Sequence, residues 1–397
     1  MNLYLRTYYP LLLSLFALGT SAQKTSINKV RCSNSNEVYD NYPITNSQTE
    51  RRNLESVCMV IHILQRSDEI QITDEQIFEQ LDRINKDFQG LDNNLPLIPE
   101  IFHENIGNPN FKFVLTDRDP DGQTSNGIIR KVTSLVNIGS LVSRDGKDVI
   151  KFSSLGGSDS WHPDSCINVW VGVIRDVFGT TSPLDLAGSE EDGIIISPEA
   201  FGLVPDTTGE NSSTTLGRTL THELGHYFGL AHPWGSRTGC NNNGDGIEDT
   251  PLQEGPYVNC PEFPQVSCNS ADMVNNYMQF TDDECLLFFT NGQVQRMREV
   301  LEDIRSGIVV STIDLEEEEA FFEIRQSEGS LDILHQNTSS GLTSVSIFNT
   351  SGQLILNEQL NNVNVHTIDT NNWSRAVYIL LILDENRRFT HTFIAGY

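Results

Sequence analysis

The chain has 397 residues, with 54 acidic against 26 basic side chains and a formal net charge of -28. That excess of acid leaves no clustered Lys and Arg to meet a phosphate backbone, which excludes nucleic acid as a partner. The length allows two or three domains, and seven cysteines, an odd number, leave at least one thiol unpaired.

Arg6 stands before the apolar run Leu11 to Leu18, and Gly19-Thr20-Ser21-Ala22 follows with small residues at a cleavage point, so residues 1–22 read as a signal peptide. The run is too short to cross a bilayer and no later one is long enough, so a secreted or cell-surface protein with no membrane span is expected. Residues 23–52 are polar, rich in Asn and Ser, and end at Arg51-Arg52, a candidate processing point; they read as a pro-segment. Val57-Cys58-Met59-Val60-Ile61-His62-Ile63-Leu64 reads as a buried strand. Thr73 with Gln76 predicts a helix start, and Ile77, Leu81, Ile84 and Phe88 then recur on one helical face. Phe111 to Leu115, Ile167 to Val173 and Gly193 to Ile196 read as further strands.

The next predicted helix runs from Leu216 to Leu230, with Leu216, Leu220 and Leu224 along its apolar edge. It carries His222-Glu223-Leu224-Gly225-His226, and the chain continues through Gly229 to His232. Two imidazoles four residues apart lie on one helix face and can reach one ion, while Glu223 leans toward water beside it. Gly229 can take positive φ and release the chain from the helix, which brings in His232 as a third nitrogen ligand. Three protein ligands leave the fourth position of a tetrahedral zinc for water, the pattern of a catalytic site, so hydrolysis is expected. Cys240, Cys260, Cys268 and Cys285 crowd into the following segment, where two bridges are expected in any of three pairings; Cys32, Cys58 and Cys166 remain. Asn241, Asn243, Asp245 and Asp249 alternate oxygen ligands beside Gly246 as calcium loops do, but Leu252 stands where a bidentate glutamate would close an EF-hand. Gln293 to Leu301 reads as the closing helix of a domain over residues 53–305. Glu316 to Glu319 is a solvated acidic run in a linker over 306–320, and residues 321–397 alternate apolar runs with polar turns, as a small β-sandwich does.

The zinc motif with Asn276-Tyr277-Met278 downstream resembles the metzincin metallopeptidases. Asp245 to Pro251, Thr281-Asp282-Asp283-Glu284-Cys285, Phe289 to Gln293 and Arg296-Met297 are similar to the pappalysin branch, with its cytophagalysin and ulilysin-like secreted enzymes, over roughly residues 30 to 305. The resemblance implies an α/β (α+β) metzincin catalytic domain with a twisted mixed sheet and an active-site helix, followed by the small all-β sandwich. It implies zinc on His222, His226 and His232, Glu223 as general base, Met278 as an apolar floor, and calcium through Asp245, Asp249 and Thr250. The implied activity is that of a zinc endopeptidase made as a zymogen, with proteins or peptides as substrates.

Cys32 resembles the pro-segment cysteine of related enzymes, whose thiolate fills the open zinc position; the alternative is a disulfide to Cys58 or Cys166. If Cys32 is free, Cys58 and Cys166 both open predicted strands and can pair across the sheet. The family pattern implies Cys240–Cys268 and Cys260–Cys285. In metzincins the chain after the Met-turn lines the pocket for the residue following the scissile bond. Here it carries Asp282, Asp283 and Glu284, so a basic side chain is expected there. Relatives carry tyrosine where this chain has Phe280, and the missing hydroxyl supports an alternative, a surface binding or adhesive protein with a weakened zinc site. Residues 345–353 and 376–380 resemble the sorting domain of type IX secretion substrates, which implies the secretion machinery as a partner.

Overall fold

A computed structural model of the protein describes residues 29–32, 54–69, 71–91, 94–203, 212–313, 322–327, 329–335, 342–349, 354–361, 365–384 and 387–395. The expected signal peptide, the Arg51-Arg52 pair, the acidic run Glu316 to Glu319 and most of the expected pro-segment lie outside the described residues. Strands β1 (Val30–Cys32), β2 (Leu54–Gln65), β3 (Ile106–Gly107), β4 (Phe111–Leu115), β5 (Ile128–Val132), β6 (Ile167–Val171), β7 (Val177–Thr181) and β8 (Ile194–Ile196) come first in the chain. They are followed by the two-residue pieces β9 (Val266–Ser267), β10 (Ser270–Ala271) and β11 (Phe289–Thr290), and by β12 (Val309–Ile313). The helices are α1 (Asp74–Phe88), α2 (Arg218–Tyr227) and α3 (Asn291–Asp303).

β2 is the spine of an eight-stranded mixed sheet. Its first half lies between parallel β4 and antiparallel β12, and its second half between parallel β5 and β6. Beyond β6 come β8, then antiparallel β7, and finally β1, laid parallel on the outer edge of β7. Side chains alternate along a strand, and β2 uses both faces. Val57, Met59, Ile61 and Ile63 enter the main core with Ile77, Ile84 and Phe88 of α1 and Leu220 and Leu224 of α2. Cys58, Val60, His62 and Leu64 face the other way, where Cys58 is bonded to Cys166.

α1 starts where the Thr73 hydroxyl accepts the Gln76 amide proton at 3.1 Å. Every residue of α2 is buried, because the helix runs between the sheet, α1 and the loop after Ala271. It spans Arg218–Tyr227, shorter at both ends than the sequence suggested, because Gly217 takes φ 75° before it and Gly229 φ 83° after it. α3 opens with a full capping box between Thr290 and Gln293.

The expected linker is corrected at its start. Residues 309–313 form β12 and complete the sheet against β2, so the first domain runs on to Ile313. The pattern Val309-Val310-Ser311-Thr312-Ile313 is a half-polar edge strand whose partner lies some 250 positions earlier in the chain, which no local reading reaches.

The C-terminal strands are β13 (Phe322–Ser327), β14 (Ser330–His335), β15 (Leu342–Asn349), β16 (Leu354–Asn361), β17 (Val365–Asp369), β18 (Ala376–Asp384) and β19 (Arg387–Ala395). They form a three-stranded sheet, β13-β14-β17, and a four-stranded one, β16-β15-β18-β19. Leu331, Ile333 and Ile368 of the first share one core with Val345, Ile347, Leu380, Ile382 and Phe393 of the second, so the unit is a β-sandwich. Among the described residues, no helix is long and apolar enough to cross a membrane.

His62 is enclosed on β2, stacked on Trp170 with ring centroids 5.1 Å apart, with Nδ1 2.9 Å from Ser158 Oγ and Nε2 3.0 Å from Asn168 Oδ1. Burial lowers its pKa to about 4, against support from Asn168 and Asp159. The unfolded chain takes up this proton below about pH 6.5 and the folded one only near pH 4, so stability falls as pH drops through that window. His62→Gln should remove a loss of about 3 kcal/mol between pH 7 and pH 4, read as a flatter pH dependence of the urea midpoint than in the parent.

Candidate metal centre and cleft

α2 delivers His222 and His226 to one side of the cleft, and the turn at Gly229 brings His232 beside them. His222 Nδ1 donates to Tyr277 O and His226 Nδ1 to Leu230 O, both at 2.8 Å. Those bonds fix the protons of His222 and His226 on Nδ1 and leave bare lone pairs on their Nε2 atoms, while His232 Nδ1 is buried without a hydrogen-bond partner among the described residues. The three Nε2 atoms nevertheless lie only 3.1, 3.1 and 3.3 Å apart. Cys32 Sγ closes a tetrahedron over them, 3.2 Å from His232, 3.3 Å from His222 and 3.6 Å from His226. All four side chains are buried.

Lone pairs packed in this way repel unless something positive sits among them. Protons do not serve, because burial lowers the pKa of His226 to about 4 and takes those of His222 and His232 well below the usual range, with repulsion among the imidazoles adding to it. Burial, then Glu223, raises the Cys32 thiol. A zinc ion with nitrogen ligands at about 2.0–2.1 Å and sulfur at about 2.3 Å needs tetrahedral edges of about 3.4 and 3.6 Å. The donor set fits zinc in number, chemistry and spacing.

Met278 is fully buried against Gly225, on the part of α2 between the two histidines; a Cβ at Gly225 would come within 2.4 Å of Met278 Sδ. Trp234 stacks on His232 at 4.5 Å, and the Phe280 ring stands edge-on to His232 at 4.9 Å. Phe280 therefore lies at the centre, but with no hydroxyl to donate.

Glu223 is held from the opposite strand. Thr181 Oγ1 donates at 2.8 Å to Oε2, with the Glu223 carbonyl at 3.0 Å, while Oε1 is buried with no hydrogen-bond partner among the described residues. Gly179 makes room for this carboxylate, since a Cβ there would lie 2.7 Å from Oε1. Burial lifts the Glu223 pKa to about 8, with Thr181 and Arg31 opposing. Thr181 and Gly179 escaped the sequence reading, although a glycine within a strand signals close approach of another group.

β1 fills the cleft edge with its Cys32 opposite Gly179 of β7. Arg31 turns its buried guanidinium into a pocket beneath: Nη1 donates to Asp283 Oδ1 at 2.8 Å and Thr219 Oγ1 at 3.1 Å, and Nη2 to Thr281 O at 2.6 Å and Ser213 O at 3.1 Å. Of the three acids expected there, Asp283 forms the pocket floor. Asp282 is half-buried, its carboxyl raised by burial and lowered by Arg31. Glu284 is corrected: it is exposed and lies beside Cys260 rather than in the pocket, because the 3-10 turn Asp283–Cys285 points successive side chains in different directions.

Cys240 is bonded to Cys268 and Cys260 to Cys285, which leaves Cys32 the free cysteine. In the loop between them, the Ile247 amide donates to Asp245 Oδ1 at 3.0 Å, and burial raises the Asp245 carboxyl well above the carboxylate range, with the Ile247 amide and the Thr250 side chain opposing. Asp249 instead accepts from Thr290 Oγ1 at 2.7 Å and Gly292 N at 2.9 Å, at the start of α3.

Residues 158–302 match a peptidase family model described as Pregnancy-associated plasma protein-A, and residues 327–395 match a Secretion system C-terminal sorting domain. An extracellular metalloprotease of Arthroderma benhamiae is 38% identical over 119 residues, 29% of this chain and 38% of that protein. One from Colletotrichum graminicola is 34% identical over 166 residues, 39% of this chain and 54% of that protein. The chain thus spans 38% of the length of the first of these relatives. Mature mirolysin of Tannerella forsythia, solved in complex with a cleaved peptide, has 33% identity and a TM-score of 0.59, over 64% of this chain and 96% of that one. A promirolysin mutant of the same organism has 32% identity and a TM-score of 0.59, over 67% and 86%.

The donor geometry predicts one zinc per chain retained through desalting. His226→Ala should lower zinc content at least tenfold by elemental mass spectrometry, with the far-ultraviolet circular dichroism of the fold kept.

Proposed function

Because the chain belongs to the pappalysin-type metallopeptidase family and ends in a type IX secretion sorting domain, we propose that it is a secreted zinc endopeptidase, made latent by Cys32 and cutting before basic residues. The observation that carries this reading is the single position shared by three chemistries: Cys32 Sγ faces three Nε2 lone pairs, next to the unpartnered Oε1 of Glu223. His222, His226 and His232 would hold zinc, which when bound acidifies water and polarises a carbonyl.

Glu223 acts as general base through Oε1 and returns the proton to the leaving amine. Thr181 keeps Oε2 occupied and so aims Oε1 into the cleft. Phe280 and Trp234 exclude water from the side of His232 and fix its ring. Asp283 takes the guanidinium or ammonium of the residue after the scissile bond, as it takes Arg31. Once the pro-segment leaves, the outer edge of β7 is open to a substrate backbone, as an edge strand adds another strand. The buried carboxyl of Asp245, beside Thr250, suits a hard cation, and supports a calcium ion that steadies the loop carrying Asp249.

Casein or peptide digestion tests the activity. Full-length Cys32→Ala protein should cut at least tenfold faster than the unprocessed parent, Glu223→Ala should cut nothing, and a zinc chelator should abolish activity. Absence of Glu223-dependent, chelator-sensitive cleavage would sink the peptidase reading and leave a surface binding protein. For the second cation, millimolar calcium should raise the thermal midpoint by a few degrees in the parent but not in Asp245→Asn, followed by scanning calorimetry.

A further inference from the structure

Arg31 is not the sole basic residue of β1's segment to find an acid. Two positions before it, Lys29 pairs with Glu199 through Nζ and Oε1, with Ser197 Oγ 3.4 Å away and the Phe178 ring centroid at 5.5 Å. Val30 between them is 49% exposed, and its amide donates to Asp176 O at 3.3 Å. The segment is therefore an extended chain with alternate side chains pointing inward, one into the Asp283 pocket and the next into a shallower site. That second site is built by the protein. Phe178 lies on β7, Ser197 donates its amide to Phe178 O at 2.8 Å, and Ser197 Oγ is 3.2 Å from Glu199 Oε1. The side chain of Lys29 is 17% exposed and that of Glu199 41%.

We infer that Glu199, with Ser197 and Phe178, forms a second acidic subsite that selects a basic side chain at the third residue after the scissile bond. The inference rests on the peptidase reading and on the Asp283 pocket taking the first residue after that bond. Cys32 marks the place of the reacting carbonyl, so a substrate with its first residue in the Arg31 pocket must run away from the metal toward Glu199. It thereby travels opposite to the pro-segment and antiparallel to β7. Side-chain alternation is the same in either direction, so its second residue takes the exposed place of Val30 and its third the place of Lys29. An ammonium there meets the Glu199 carboxylate and the face of Phe178, two attractions that an apolar or acidic residue lacks. The preferred substrate is thus a peptide with basic residues at the first and third positions after the cut. The site is half-open to solvent, so its effect is modest and weakens with salt.

The test uses protein freed of its pro-segment and peptides that keep Arg at the first position and carry Lys, Ala or Glu at the third. Lys should exceed Glu about fivefold in kcat/KM, mostly through KM, and the ratio should shrink in 0.5 M salt, where the Debye length falls to about 4 Å. Glu199→Gln should bring the ratio to about one while the preference for Arg at the first position stays. A Lys-to-Glu ratio unchanged by Glu199→Gln overturns the proposal. Anisotropy of the same labelled peptides on Glu223→Ala protein reads the subsite without turnover. Lys-over-Glu binding there, with no cutting by the parent, would overturn the peptidase reading and leave the subsite standing, whereas equal binding overturns the subsite.

Discussion

The helix that carries His222 and His226 begins at a residue that cannot cap it. Gly217 has φ 75° and no side chain, so the turn into α2 depends on the carboxylate of Asp283, whose Oδ2 accepts from Leu216 N, just before the helix, at 2.9 Å and from Arg218 N, its first residue, at 3.1 Å. Its other oxygen holds Arg31. One buried acid thus sets the start of the helix that carries His222, Glu223 and His226 and also forms the floor of the pocket beside them. Arg218 extends the connection. It donates through Nη1 to Asp283 O at 2.7 Å and lies against Asp87 of α1, which also accepts from Thr221 at 2.7 Å and Tyr277 at 3.0 Å. Burial raises the Asp87 carboxyl, and Arg218 and Arg83 counter it. Removing one member of such a buried set strands the others without solvent, so ligand helix, pocket and α1 keep their places together.

Around that frame the two walls of the cleft have separate duties. The helix side supplies nitrogen lone pairs, tied by Tyr277 and Leu230 carbonyls into the right tautomers. The strand side supplies space and aim: Gly179 leaves room for Glu223, and Thr181 occupies one of its oxygens. Residues 29–32 lie as a further extended layer in the same cleft, and their side chains serve as a cast of the surfaces they cover. Cys32, Arg31 and Lys29 each rest on a different chemistry, a metal-ready nest, a buried carboxylate and a half-open one.

Local spacing made the histidine cluster legible. A helix places residues four apart on one face, and a glycine supplies the exit, so His222, Glu223, His226 and His232 needed no knowledge of distant contacts. The apolar run of β2 and the Thr73 cap were readable for the same reason. What escaped depends on long-range partners. Val177-Phe178-Gly179-Thr180-Thr181 carries too little apolar pattern to announce a strand, yet it lines the cleft. Arg31 meets Asp283 across 252 positions, and β12 reaches back to β2. The acids after Met278 were visible as a group, but which of them turns inward is decided by the turn at Asp283–Cys285 and its neighbours.

The seven cysteines divide unequally between the covalent framework and the cleft. Six are cross-linked within residues 58–285, and the seventh belongs to the segment that covers the cleft. On the proposed activation, loss of that segment would expose the histidines and at the same stroke remove the last free thiol of the chain. The uncovered form would then have no thiol left to scramble its bridges or to be oxidised outside the cell, and the same cut that opens the cleft would make the covalent framework chemically quiet.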